Sequence, residues 1–255
     1  MLHYQPIGQA EIPRRRIGQL PNDFAVMMRK KGLNDDDRNS AVQLLYQVGP
    51  RGDLKLDVAL ELLAKIMDKP FFHELRTQQQ LGYIVFEGVD DHEGVTGIYV
   101  IVQSTVADPE ELCRRIDDFL KQYRAKLLAE LPDSEFASYV RSQITLKMEK
   151  DKRMSARTAR FWKEISSEEF VYDRAMREIE VLHTVKKSDV VDLFDRFIAP
   201  GGSCRRKISS LVYGCDHPFP ESVSVDSGVK LVKDPVAFRL SLPLFPVKGE
   251  RDIFY

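Results

Sequence analysis

The chain has 255 residues and lacks most features that mark a special environment. Its three cysteines, Cys113, Cys204 and Cys215, are few and widely spaced. That excludes a disulfide framework and a zinc ribbon, and it fits a reducing compartment. No apolar run approaches the ~20 residues that a membrane span needs. Met1 to Pro6 has neither the charged nor the apolar region of a signal peptide. Excess charge is also missing: 38 Lys and Arg face 39 Asp and Glu, a formal net charge of −1, so nucleic acid would need a local basic patch. The sequence contains no H-x-x-E-H or H-E-x-x-H for zinc, no G-x-S-x-G for a nucleophile and no G-x-G-x-x-G for phosphate. His73-Glu74 has no second histidine, and His92-Glu93 falls in an acidic turn. His3, His183 and His217 stand alone. These gaps predict a cytoplasmic chain with no metal site of its own, no nucleic-acid partner and no membrane contact.

What is present reads as a globular domain: 43% of residues are hydrophobic and 30% charged. The first twenty residues, with Pro6, Pro13 and Arg14-Arg15-Arg16, predict an extended lead-in from a preceding domain. Alternation from Phe24, and again from Ala41 to Val48 with Val42, Leu44, Tyr46 and Val48 on one face, predicts two half-buried strands. Gly49 to Gly52 breaks the second strand, and Asp53 is placed to cap a helix. Leu56, Leu60, Leu63 and Met67 follow at helical spacing, with an expected stop at Pro70. A short second helix from Phe71 to Gln80, a strand from Leu81 to Gly88, a turn at residues 90–94 and a partner strand from Gly97 to Gln103 come next. The middle is helical, including a helix from Ser155 to Ser166 that carries Ala159, Trp162 and Ile165. A last strand runs from Lys207 to Tyr213. Beyond Cys215, frequent prolines predict an irregular tail. The fold class is α+β, a mostly antiparallel sheet with helices on one face. The expected division is lead-in 1–20, domain 21–215 and tail 216–255.

Two stretches could carry chemistry. Lys147 to Arg153, continuing through Arg157, Arg160 and Lys163, could hold an acidic ligand, but its interspersed acids fit a solvated surface. The second stretch, Phe71 to Phe86, passes from helix to strand at Gly82, so Arg76 and Tyr83 can converge at the end of the sheet. A guanidinium beside a phenol suits gripping a peptide carbonyl. The bland alternative is a surface ion pair and a core tyrosine.

Leu75-Arg76-Thr77-Gln78-Gln79-Gln80-Leu81-Gly82-Tyr83-Ile84-Val85 closely resembles the L-R-T-x-x-Q-L-G-Y-x-V signature in the last domain of the insulin-degrading enzyme, nardilysin and pitrilysin family. Tyr46-Gln47, Arg160 to Ile165 and Ser241 to Pro246 resemble three further family motifs, in family order. The resemblance implies the fourth domain of a zinc metalloendopeptidase that closes like a clamshell around a peptide. Zinc would be bound by another domain and none by this chain. The helix from Leu54 to Asp68 stands where the first domain carries H-x-x-E-H, but it has no histidine, so this piece alone should be inactive. Tyr83 matches the tyrosine that donates to the oxyanion of the tetrahedral intermediate. Arg76 matches the arginine that holds the substrate backbone and orients that tyrosine. Phe72 and Val85 match the apolar wall of the pocket beyond the scissile bond. Implied partners are peptide substrates and the N-terminal catalytic domains of the same chain, with homo-oligomerisation left open. The fold also serves as a non-catalytic interaction module, the rival expectation. Residues 49–57 are shorter than the family pattern and residues 90–94 more acidic, which leaves peptide preference open.

Overall fold

The computed structural model describes residues 16–221 and 228–246; the remainder of the expected lead-in and tail lies outside them. The elements in chain order begin with β1 (Phe24–Lys31), β2 (Ser40–Pro50), α1 (Leu54–Phe72), β3 (Ile84–His92) and β4 (Val95–Ser104). The helical middle is α2 (Pro109–Gln122), α3 (Asp133–Met148), α4 (Met154–Ser166), α5 (Arg174–Leu182) and α6 (Lys187–Leu193). After it come β5 (Arg206–Tyr213), β6 (Val229–Leu231) and α7 (Pro235–Ser241). The six strands form one sheet in the order β3-β4-β2-β5-β1-β6. Pairs β3–β4, β4–β2 and β2–β5 are antiparallel, whereas β5–β1 and β1–β6 are parallel. The fold is α+β, as its sequence pattern predicts.

Alternation decides the layers. On one face Val42, Leu44, Tyr46 and Val48 of β2 join Ile98, Val100 and Val102 of β4 and Val85 of β3 in the main core. That face is covered by α1, α2 and α6, whose Leu60, Leu63, Met67, Leu112, Ile116, Val190 and Leu193 are buried against it. The opposite face is not bare. Val26 of β1 packs there with Leu20 and Val232, flanked by Ile208 and by Phe238 of α7. The helices are thus not confined to one face; the short α7 crosses to the other.

Four local expectations are revised. Pro70 does not end α1 but lies inside it, and the helix runs straight on into a π-helical stretch, His73–Gln78. Proline removes one i→i−4 bond, and the burial of Phe71 and Leu75 just beyond it keeps the helix going. The tail beyond Cys215 contains β6 and α7. Pro235 there is the first residue of a helix, where its missing N–H costs nothing, and Asp234 accepts from the Val236 and Ala237 amides as N-cap. The third revision concerns α4. Its apolar residues do not face the core, and Trp162 is 64% exposed while Glu164 is the helix's buried residue. Residues 90–92 belong to β3 rather than to a turn, which is confined to Glu93 and Gly94. Their positive φ values of 48° and 73° make the tight two-residue connection suited to strand twist.

The end of the lead-in and the tail fasten to each other. Phe245 N–H donates to the Ile17 carbonyl at 2.9 Å, Gln19 N–H to Pro243 at 2.7 Å, and Phe245 is buried. The Gln47 amide beneath them accepts from Leu20 N–H and donates to the Gly18 carbonyl. No helix among the described residues is long and apolar enough to cross a membrane.

Candidate peptide-binding site

The site sits where α1 hands over to β3. Asp53 caps the start of α1 by accepting from the Lys55 and Leu56 amides. At the far end the π-helical stretch carries Arg76 one turn beyond Phe72. The chain then reverses tightly: Gln79 N–H donates to the Glu74 carbonyl and Leu81 N–H to the Leu75 carbonyl at 3.0 Å, with Gln80 left-handed at φ 51°. Leu75 and Leu81 anchor this reversal in the core. Gly82 follows, pressed against the end of β4. A Cβ there would stand 1.9 Å from the Gln103 carbonyl oxygen, so only glycine lets the chain pass.

The result is a stack. The Arg76 guanidinium carbon lies 4.5 Å from the Tyr83 ring centroid and 4.8 Å from that of Phe72. Each such contact contributes roughly 0.5–1 kcal/mol at an exposed site. Tyr83 is 81% exposed and Phe72 38%, so the surface-ion-pair-and-core-tyrosine alternative does not describe this place. Among the described residues no carboxylate reaches ion-pair distance of Arg76, which leaves its five donors directed at solvent or a ligand. Supporting bonds lie one layer back: Gln79 Nε2 donates to Glu74 Oε1 at 2.9 Å, and Arg115 of α2 reaches Gln79 Oε1 at 3.3 Å. Val85 does not join the group. It is 1% exposed and packs in the main core opposite Val102, pointing to the helix side of the sheet while Tyr83 stands outside it.

The other end of α1 is built differently, and sequence reasoning missed it. Lys147, assigned to a solvated basic surface, is half-buried with its Nζ 2.7 Å from both Glu61 Oε2 and Glu178 Oε2. Arg51 pairs with Asp91 and approaches Asp57 at 3.9 Å and Glu178 at 3.8 Å. Arg174 pairs with Glu164 and Glu169. Burial pushes the Asp57 carboxyl up to about 6, against the pull of Arg51. Burial opposes charge on Lys147 too, but Glu61 and Glu178 outweigh it and the net shift is upward. No local sequence signal marks this cluster, because its members come from the β2–α1 turn, α1, β3, α3, α4, α5 and the α4–α5 turn.

The residues of α1 do not fit the zinc that the family resemblance implies for a first domain. The polar side chains of this helix are Lys55, Asp57, Glu61, Lys65, Asp68 and Lys69, and an ammonium faces Glu61 and Glu178. Among the described residues no group of three or more His, Cys, Asp or Glu is arranged to hold a metal ion.

This two-layer α+β architecture has clear counterparts. Pitrilysin matches with a TM-score of 0.75 over 91% of this chain and 24% of its own, at 20% identity. A protease from Helicobacter pylori matches at 0.64 over 83% of this chain and 48% of its own, at 15% identity. These two show the fold. Residues 62–162 match the family described as PQQ synthase PqqF-like, C-terminal lobe domain 4. Insulin-degrading enzyme-like 1, peroxisomal, of Arabidopsis thaliana is 31% identical over 94% of this chain and 25% of its own length. Nardilysin of Homo sapiens is 32% identical over 78% of this chain and 17% of its own. The chain therefore belongs with the insulin-degrading enzyme, nardilysin and pitrilysin family, as a domain of a zinc-peptidase-like protein. It spans about a quarter of the length of the insulin-degrading enzyme relatives it matches.

Proposed function

We propose that this chain is the substrate-binding and active-site-completing domain of a longer zinc metalloendopeptidase. The observation that carries this reading is the exposed Phe72–Arg76–Tyr83 stack, with no ion pair among the described residues drawing off the guanidinium. A phenol ordinarily keeps its proton at neutral pH and can donate to the oxygen that gains charge when a peptide carbonyl is attacked. Arg76 would hold the peptide backbone and, by stacking on the ring, keep the Tyr83 hydroxyl aimed. Phe72 would supply the apolar wall. The attacking water and the metal belong to another domain, joined through the lead-in, so this chain is expected to be inactive alone. The substrate class is peptides, and the catalytic domains of the same protein are the partners.

Removing a single oxyanion donor typically lowers kcat by ~10²–10³. Tyr83→Phe in the full-length protein should do so while KM changes little. Unaltered turnover by that variant would remove Tyr83 from the mechanism. A second reading, a non-catalytic interaction module, draws on the outward apolar side chains of α4, where Trp162, Ile165 and Met154 are exposed. A full-length protein without peptide cleavage under any condition would favour it.

A further inference from the structure

Glu87 is a carboxyl in an unusual place. It lies on β3, four residues beyond Tyr83, and pairs in register with Val100 of β4. Its neighbours on the same face, Val85 and Val89, pack into the main core. Its Oε2 is enclosed and, among the described residues, has no hydrogen-bond partner. The groups facing it from α1 are Lys65 and Asp68, and from the π-helical extension of α2 the phenol of Tyr123, itself buried and unpartnered. Tyr139 and Glu135 of α3 lie beyond Asp68. Asp68 stands one turn before Phe72 and two before Arg76. The packing of β3 on α1 around Glu87 thus joins the two arms that carry the site, the helix leading to Arg76 and the strand leading from Tyr83.

We propose that Glu87 is a positioning residue for the Arg76–Tyr83 pair: as a neutral acid it lets β3 lie against the C-terminal half of α1, and its ionisation drives strand and helix apart. This rests on the peptide-binding reading of that pair. An isolated carboxylate in a dry site is costly, and here it would face Asp68 with one lysine to offset two negative charges. Burial, reinforced by Asp68 and opposed by Lys65, pushes the Glu87 carboxyl up to about 8. The sign follows from proton linkage. A group that holds its proton more tightly when folded stabilises the folded arrangement fully below its unfolded pKa. That contribution is lost as pH rises toward the folded value.

The test uses the full-length protein as wild type, Glu87→Gln and Asp68→Asn, and follows hydrogen exchange of β3 amides together with cleavage of an internally quenched peptide. After correction for intrinsic exchange, wild-type β3 protection should fall by up to ~10-fold per pH unit from about pH 5.5 to 8 and level off beyond. The kcat should show an alkaline limb with its midpoint near pH 8. Glu87→Gln, which keeps shape without charge, should abolish both responses. Asp68→Asn, which removes the repelling charge, should move both to lower pH. Wild-type β3 protection that ignores pH, or a response that persists in Glu87→Gln, overturns the proposal. A β3 response in a protein that cleaves no peptide keeps Glu87 as the clamp and instead overturns the peptidase reading.

Discussion

The two ends of α1 use charge in opposite ways. At its N-terminal end Arg51, Lys147 and Arg174 are enclosed among Asp57, Glu61, Asp91, Glu164, Glu169 and Glu178, so every cation is committed to a structural partner. At the C-terminal end Arg76 has two aromatic rings and, among the described residues, no carboxylate at ion-pair distance. A buried ion network stabilises an arrangement and has no donors to spare, whereas a stacked, unpaired guanidinium keeps its direction and leaves its donors available. The helix that would carry zinc ligands in a catalytic domain is, in this chain, a structural brace at one end and, in the proposed reading, a substrate clamp at the other.

This contrast can be broken at several points. The largest effect is expected from Lys147→Met, which removes the ammonium shared by Glu61 and Glu178 and leaves the buried Glu178 only the longer 3.8 Å approach of Arg51. It should cost about 3–5 kcal/mol of stability in urea unfolding followed by circular dichroism. Arg76→Ala, in the same experiment, should cost no more than ~1–2 kcal/mol, the sum of its two ring contacts. Equal losses would mean the two ends are not different in kind. Gly82→Ala comes next. Its Cβ must displace the backbone of β4 or of the reversal, with a cost of about 1–3 kcal/mol and a fall in kcat, because the Tyr83 ring leaves the guanidinium. A Gly82→Ala protein with wild-type turnover would show that the corner tolerates what the geometry forbids. The smallest effect is a slope. Asp57 binds its proton more tightly folded than unfolded, so its contribution grows as pH falls through about 6. Between pH 7 and pH 5 the wild type should gain about 1 kcal/mol relative to Asp57→Asn. A constant difference would remove Asp57 from the cluster's titration.

Much of this was legible in the sequence, for identifiable reasons. The strands around Val42–Val48 and the helix from Leu54 show clean periods of two and 3.6, and each period matches a burial face. The corner from Leu75 to Val85 was legible because a glycine interrupts a helix-to-strand transition between an arginine and a tyrosine. What local pattern could not show depends on distant partners. Pro70 reads as a stop because its effect is local, while the core contacts of Phe71 and Leu75 that carry the helix past it are not. Ala159, Trp162 and Ile165 of α4 stand at helical spacing, yet Glu164 turns inward to Arg174 and Trp162 faces out. Lys147 reads as surface because its partners Glu61 and Glu178 are far away in sequence. Val85 follows strict alternation inward, so a family wall residue became a core residue.

The central claim is that Arg76 and Tyr83 act on a bound peptide as one unit. A double-mutant cycle of Arg76→Ala and Tyr83→Phe on kcat in the full-length protein tests it most directly. Strong coupling is predicted: the double variant should lose scarcely more than Tyr83→Phe alone, because the phenol without its hydroxyl leaves the arginine nothing to aim. Losses that simply multiply would contradict the account.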